Sequence, residues 1–158
     1  VTLDDVVKYP VRLTYAGRLD KDSEGLLILT NDGDLIEKMM RGANGHEKEY
    51  GVKVNKEITE EFVLSMKTGV FLPELEVTTR PCKISRIGDK TFRIILTQGL
   101  NRQIRRMCKE LGYDVVSLKR IRVLNILLEP LKTGEIRRIS GEELRTLYEW
   151  AGLEKPIE

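Results

Sequence analysis

Histidine and cysteine are scarce in this chain of 158 residues. His46 is the only histidine, which excludes most histidine-based zinc sites and leaves any serine–histidine–aspartate triad dependent on one residue. Cys82 and Cys108 lie far apart in the sequence and form no CxxC motif. Two buried, reduced thiols are therefore expected rather than a disulfide or a metal site.

Long apolar runs are absent as well. No run approaches the roughly 20 residues that a helix needs to cross a bilayer. No secretory signal is recognised, so we expect a cytoplasmic protein with no membrane partner. With 41% hydrophobic and 33% charged residues, the composition is typical of a globular protein, and residues 1–158 are predicted to form a single domain. Because the chain starts at Val1 and enters an acidic segment at once, we expect a fragment of a longer protein.

Acidic residues are few in one part of the chain. Between Arg86 and Arg122 there are ten basic residues and three acidic ones, a net charge of +7 in a chain whose total is +2. The remainder therefore carries a net charge of −5. A basic face on an otherwise acidic body predicts a polyanionic partner.

Residues 17–33, GRLDKDSEGLLILTNDG, contain a pattern that indicates chemistry. The apolar run LLIL lies between a glycine and the turn signal NDG, and this predicts a short buried strand over residues 26–29. Asp20 would lie on the loop that leads into this strand, with Arg18 two residues away. A carboxylate held on a rigid element in this way is a candidate functional group.

Three interpretations of Asp20 compete. It is a turn residue that bonds its own backbone, a calcium ligand, or a nucleophilic or acid–base carboxylate held by an arginine. Residues 20–25 nearly fit the start of an EF-hand loop, but the twelfth position is Asn31 instead of glutamate, and the preceding residues do not have the pattern of a helix. The calcium site is therefore disfavoured, and this segment alone leaves the other two interpretations open.

Residues 46–54, HEKEYGVKV, alternate in the manner of a strand. The alternation places Tyr50 on the same face as Val52 and Val54. On spacing alone, Tyr50 is equally well an ordinary core residue or a functional aromatic side chain.

Residues 102–111, RQIRRMCKEL, have the spacing of an amphipathic helix. The predicted buried stripe consists of Ile104, Met107, Cys108 and Leu111. Four cations line another side, namely Arg102, Arg105, Arg106 and Lys109. This side is either a solvated basic face or a surface that an anionic partner neutralises, because the four like charges repel one another.

The remaining segments complete an α+β pattern. Helices are predicted at residues 34–40 and 59–69, and a C-terminal helix is predicted to begin at a capping box formed by Ser140-Gly141-Glu142-Glu143. Strands are predicted at residues 9–16, 75–79, 82–87, 91–97, 115–118, 121–128 and 135–139, with a hairpin at Gly88-Asp89. We expect a mixed, largely antiparallel sheet flanked by helices.

The three segments GRLDKDSEGLLILTNDG, HEKEYGVKV and QGLNRQIRRMCKELGYDV, in this order, resemble the RsuA-like family of ribosomal RNA pseudouridine synthases, and its RluF-type members in particular. The resemblance spans essentially the whole chain as a catalytic domain, without the N-terminal RNA-binding domain that is common in the family. It implies an enzyme that flips a specific uridine out of structured RNA and isomerises it to pseudouridine. It also implies that neither a cofactor nor a metal ion is required.

The resemblance also implies roles for individual residues. Asp20 of GRLD corresponds to the nucleophile. Tyr50, with Lys48, stacks on the target base and helps to remove the proton from its carbon 5. Arg105 pairs with Asp20. The residues implied to contact RNA are Arg18, Leu19, Lys21, Lys48, Leu100, Asn101, Arg102, Gln103, Arg106 and Lys109.

A non-catalytic RNA-binding module is the alternative function. It would explain the basic helix but not the GRLD segment. 23S ribosomal RNA is the expected partner and a tRNA is the second candidate, and a monomer is expected. Neither the target uridine nor the atom that Asp20 attacks, carbon 6 of the ring or carbon 1′ of the sugar, follows from the sequence.

Overall fold

The structure is a computed structural model that describes residues 14–15, 19–40 and 45–153, and it contains ten strands and four helices within them. The strands are β1 (Thr14–Tyr15), β2 (Glu24–Gly25), β3 (Leu29–Thr30), β4 (Lys48–Val54), β5 (Phe71–Leu72), β6 (Val77–Thr78), β7 (Lys83–Arg86), β8 (Thr91–Leu96), β9 (Val115–Val123) and β10 (Ile126–Leu127). The helices are α1 (Gly33–Met40), α2 (Glu60–Thr68), α3 (Gln103–Glu110) and α4 (Gly141–Trp150). None of these four is long and apolar enough to cross a membrane.

A six-stranded sheet forms the centre of the described part of the chain. Its order is β10-β9-β4-β8-β7, and β2 joins it by pairing with β9. The β2–β9 pair is parallel and the other pairs of this sheet are antiparallel. Two small ladders, β1–β3 and β5–β6, lie outside the sheet. The predicted α+β fold with a mixed, largely antiparallel sheet is therefore confirmed.

The regular elements begin and end where local chemistry dictates. The Oγ1 atom of Thr59 accepts a hydrogen bond from the Phe62 amide at 3.0 Å and caps α2, as the sequence predicted. Asp32 caps α1 in the same way, because its Oδ1 accepts from the amides of Asp34 and Leu35. The hairpin predicted at Gly88-Asp89 joins β7 and β8.

Two apolar clusters hold the elements together. The first packs α2 and α3 on one face of the sheet, and its buried residues include Val52, Val54, Phe62, Met66, Phe92, Ile94, Ile104 and Met107. The second packs α1 and α4 around the end of β9, and its buried residues include Leu26, Ile28, Leu35, Met39, Val123, Ile126 and Leu147. The face of the sheet that contacts α2 and α3 is called the inner face below.

Four local predictions are wrong. Residues 26–29 are not one strand: Leu26 and Ile28 are buried as predicted, but β2 ends at Gly25, β3 begins at Leu29, and the Leu26 carbonyl oxygen accepts from the Arg120 side chain. Residues 115–128 form the long β9 and the short β10, because β9 pairs with β4 on both sides of Arg120, with a shift of register next to it. Residues 135–139, all of which the structure describes, form no strand. Ser140 makes no side-chain cap of α4, and the Glu143 carboxylate is bound by Arg137 instead.

Candidate active site

A cleft of about 260 Å³ opens on the inner face of the sheet, next to the N-terminus of α3. Eight of the residues singled out from the sequence line it, namely Leu19, Asp20, Lys48, Tyr50, Leu100, Asn101, Arg102 and Gln103. These residues come from three separate segments of the chain, so the fold brings the three motifs together. Arg18 lies outside the described residues.

The charges that line the cleft are unbalanced. Among its described lining residues, Asp20 is the only acid, whereas Lys48, Arg102 and Arg120 are cations. The hydrogen bonds to Asp22 raise the pKa of the Arg102 guanidinium, and the charges of Asp22 and then of Asp20 raise it further. The cleft therefore presents one carboxylate within a positive surrounding, which suits an anionic ligand such as a nucleotide.

The loop that carries Asp20 is fixed by the neighbouring Asp22. Arg102 holds the Asp22 carboxylate in two hydrogen bonds of 2.9 and 2.8 Å. Arg105 donates to the Asp22 carbonyl oxygen at 2.7 Å, and its Nε lies 3.5 Å from Oδ2. The bonds from Arg102, followed by the charge of Arg105, lower the pKa of Asp22 to about 2. The start of α3 and the loop are thereby tied together across more than 80 positions of sequence.

This geometry changes the interpretation of two predicted residues. We expected Arg105 to pair with Asp20, but the contacts of Arg105 are with Asp22, so it acts on the loop and not on the Asp20 carboxylate. Asp22, which an EF-hand pattern would make a calcium ligand, has both carboxylate oxygens bound by Arg102.

Strand β4 presents Lys48 and Tyr50 to the cleft. Side chains two positions apart on a strand share a face, so both point to the side that the Val52 side chain also occupies. Burial lowers the pKa of Lys48, and the positive charge of Arg120 lowers it further. Tyr50 is half-buried and packs against the first apolar cluster, and it also lines the cleft. The two interpretations that the spacing left open are therefore compatible.

Arg120 is a cleft residue that the sequence reading missed. Arg120 is only 2% exposed. It lies on β9, directly opposite Tyr50 of β4. Its Nε donates to the carbonyl oxygen of Leu26 at 2.9 Å, and its own carbonyl oxygen accepts from the Leu26 amide at 2.8 Å. The sequence did contain a signal: if residues 115–123 are taken as one strand, alternation places Arg120 on the buried face with Leu118.

Gly25 explains how β2 approaches β9 so closely. A Cβ atom on this residue would lie 2.3 Å from the oxygen and 2.4 Å from the nitrogen of the Arg120 backbone. The φ angle of Gly25 is +121°, in a range that side chains disfavour. Only glycine fits here, and its position sets where the preceding loop with Asp20 meets the sheet.

The turn before α3 is held by its own side chains. Gln103 is buried, and its Oε1 accepts from the Leu100 amide at 3.2 Å. Arg106 donates to the backbone and the side-chain oxygens of Asn101 at 2.9 Å each, and it also pairs with Glu74 at 3.5 Å. Two of the residues expected to contact RNA, Gln103 and Arg106, thus hold the shape of the cleft wall in the structure. Lys21 and Lys109 are exposed outside the cleft.

Comparison with known proteins agrees with the three motifs. The RNA pseudouridylate synthase family matches residues 7–110. The dual-specificity RNA pseudouridine synthase RluF of Escherichia coli (strain K12) is 49% identical over 144 residues, which cover 91% of this chain and 49% of that protein. The ribosomal large subunit pseudouridine synthase B of Bacillus subtilis (strain 168) is 32% identical over 151 residues, which cover 93% of this chain and 62% of that protein.

The fold agrees in the same way. A crystal structure of a pseudouridylate synthase superimposes with a TM-score of 0.86 at 30% sequence identity, and the match covers 90% of this chain and 64% of that one. The chain spans about half the length of its RluF relative. The sequence match over residues 7–110, the identity to these relatives and the shared fold lead to one conclusion: this chain belongs to the RNA pseudouridylate synthase family.

Proposed function

We propose that this chain isomerises a uridine in structured RNA to pseudouridine, with Asp20 as the nucleophile. The observation that carries the proposal is the position of Asp20. It is the only acid among the described lining residues of a cleft that also presents Tyr50 and three cations. Membership of the family and this arrangement support the same reaction.

The chemistry of the isomerisation matches what the cleft offers. The bond between N1 of uracil and C1′ of ribose breaks, and a bond between C5 and C1′ forms. C5 loses a proton and N1 gains one, so no electrons are transferred to an acceptor and no water is consumed. The reaction needs a nucleophile that holds one half of the substrate while the base turns, and a group that accepts the C5 proton. Asp20 serves as the nucleophile, and Tyr50 helps to remove the C5 proton.

The target base must leave its stack before it can react. Flipping a base costs a few kcal/mol, and stacking on an aromatic side chain returns about 1–3 kcal/mol per base. Tyr50 provides the aromatic platform, and Leu96, Ile104 and Leu118 supply apolar walls around it. The cleft, of about 260 Å³, would receive the flipped base between these walls.

The cations hold the sugar–phosphate backbone on either side of the flipped base. Lys48 and Arg102 do so inside the cleft, where the buried Arg120 adds positive charge without contacting the RNA, and Lys21 and Lys109 extend the positive surface outside it. A large-subunit ribosomal RNA is the substrate that the name of the Bacillus subtilis relative favours, and the tRNA given by the family resemblance is the second candidate, which is compatible with the dual specificity in the name of RluF.

The test is a comparison of Asp20→Asn with the wild type in a tritium-release assay on RNA labelled at C5 of uridine. We expect the variant to lose turnover by about four orders of magnitude or more, because the nucleophile is gone. Asp114→Asn, which removes an exposed carboxylate outside the cleft, is the matched control and should react like the wild type. Equal, measurable turnover of Asp20→Asn and wild type would contradict Asp20 as the nucleophile, and the absence of tritium release from a wild type that binds the RNA would favour an RNA-binding module.

A further inference from the structure

The outer face of the sheet, opposite the cleft, is basic where β4, β8 and β9 run side by side. Side chains alternate along a strand, so Gly51 lies on the face opposite Tyr50. Its Cα partners on the two neighbouring strands are Arg93 and Lys119, both exposed. Two positions further along β4, Lys53 lies between Thr91 and Ser117. We call the residues Gly51, Lys53, Arg93, Ser117 and Lys119 the Gly51 face.

The Gly51 face is open. A Cβ atom built on Gly51 would meet no atom within 4 Å, so no described residue covers this glycine. Glycine in the interior of a strand weakens it, and such a glycine often marks a place where a ligand or another backbone approaches closely. Here the gap lies between two cations whose Cα atoms are about 10 Å apart, the width of two strand spacings.

The three cations of this face are not neutralised by the described part of the protein. No described residue lies within ion-pair distance of Lys53, Arg93 or Lys119. Glu49, the acid nearest to Gly51 along β4 on this face, is bound by Arg122 at 3.0 Å. Glu24 on β2 is the Cα partner of Lys119 and is the acid at the rim of the face.

We propose that the Gly51 face is a second RNA-binding surface, which holds the sugar–phosphate backbone of a segment other than the one in the cleft. The polyanion is favoured over a protein partner because the face combines three cations and the Ser117 hydroxyl group around a glycine and has no aromatic side chain. Phosphate contacts of this kind position a substrate without reading its sequence. The proposal rests on the proposed RNA substrate and extends it to the opposite side of the sheet.

The first test removes charge. Binding of a fluorescein-labelled RNA hairpin with a long duplex stem is measured by anisotropy over a range of salt concentrations. Arg93→Gln with Lys119→Gln should weaken binding by about tenfold and reduce the salt slope by about two, roughly one for each lost phosphate contact. The matched control is Lys132→Gln with Arg138→Gln, which removes two exposed cations outside the sheet and should change neither value. Equal effects of the two double variants would overturn the proposal.

The second test fills the gap. Gly51→Val places a side chain into open space within a strand that favours β-branched residues, so the melting temperature should hold or rise. The same variant should bind the hairpin at least about threefold more weakly, because the RNA backbone can no longer approach. Glu24→Gln, which removes the acid at the rim, should strengthen binding. If Gly51→Val keeps the wild-type stability and binds the hairpin with the wild-type affinity, the proposal that the Gly51 face binds RNA is wrong.

Different results would contradict the proposed enzymatic function and the proposed RNA-binding role of the Gly51 face. Wild-type binding and tritium release are measured first, and a wild type that neither binds nor reacts would contradict the proposed function itself. A wild type that does both, with the variants of the Gly51 face behaving identically, would contradict only this inference. A preference of the face for an acidic peptide over the hairpin, measured by competition, would likewise overturn it.

Discussion

Adjacent positions of β4 serve opposite faces of one sheet. Tyr50 faces a cleft that is lined, among the described residues, by a buried guanidinium, a half-buried lysine and a single carboxylate. Gly51 faces open space between two exposed cations. The inner guanidinium groups of Arg102 and Arg120 are held by protein atoms, whereas no described acid pairs with the outer cations, which can therefore exchange counterions. The inner face should therefore determine rate and the outer face affinity and its salt dependence.

The largest disruption of the inner face is expected from Gly25→Ala. A methyl group would meet the Arg120 backbone at less than 3 Å, in a conformation that side chains disfavour. We expect the free energy of unfolding to fall by about 3 kcal/mol and turnover to be lost with the position of the Asp20 loop. Gly134→Ala is the control, because Gly134 also has a positive φ but open space around it. Gly134→Ala should lower the free energy of unfolding, measured in a denaturant titration, by only about 1 kcal/mol. Equal costs for the two variants would argue against a close contact of β2 with β9.

A smaller loss of stability and activity is expected from Arg120→Met. The Leu26 carbonyl oxygen would lose the Nε donor, which costs about 1–3 kcal/mol in unfolding free energy, and the loop would shift enough to reduce kcat by about a hundredfold. Arg122→Met is the control two positions along β9, because Arg122 binds Glu47 and Glu49 outside the cleft. It should lower the melting temperature and leave kcat unchanged. A loss of stability without a loss of kcat in Arg120→Met would show that Arg120 is structural only.

The smallest effect is expected at Asp22. Arg102 and Arg105 lower the pKa of Asp22 to about 2. The ion pairs of Asp22 therefore stabilise the loop fully at pH values above 3.8, the ordinary carboxyl pKa, and this stabilisation is lost as the pH falls through about 2. Asp22→Asn should remove this acid transition and lower turnover only several-fold at neutral pH. The acid transition of Asp22 can be followed through the chemical shifts of the Arg102 and Arg105 guanidinium groups during an acid titration. A transition near pH 4 in the wild type would contradict the pairing.

The sequence predicted those parts of the molecule whose pattern is local. β4 and α3 have clear periods of two and 3.6 residues, and the cap at Thr59 depends on residues within one turn. The three motifs could be placed in one cleft only through the resemblance to a family. Partner choice across the fold could not be predicted: Arg105 binds Asp22 because the loop and α3 meet there, which no local pattern encodes.

Arg120 was missed for a related reason. Two charged residues in succession, Lys119 and Arg120, were taken as a break between strands, although their side chains point to opposite faces of β9. The capping box at Ser140 failed because Arg137 competes for Glu143. At Glu143, therefore, a salt bridge from the preceding loop outweighed the local preference for a capping box.

The most direct test of the division between the two faces measures two variants in two assays. Single-turnover tritium release at saturating RNA and anisotropy over a range of salt concentrations are recorded for Asp20→Asn and for Arg93→Gln with Lys119→Gln. The account predicts that the first variant loses turnover and keeps the wild-type affinity and salt slope, and that the second keeps the turnover rate and loses affinity and slope. Loss of both properties in both variants, or normal turnover in Asp20→Asn, would contradict it.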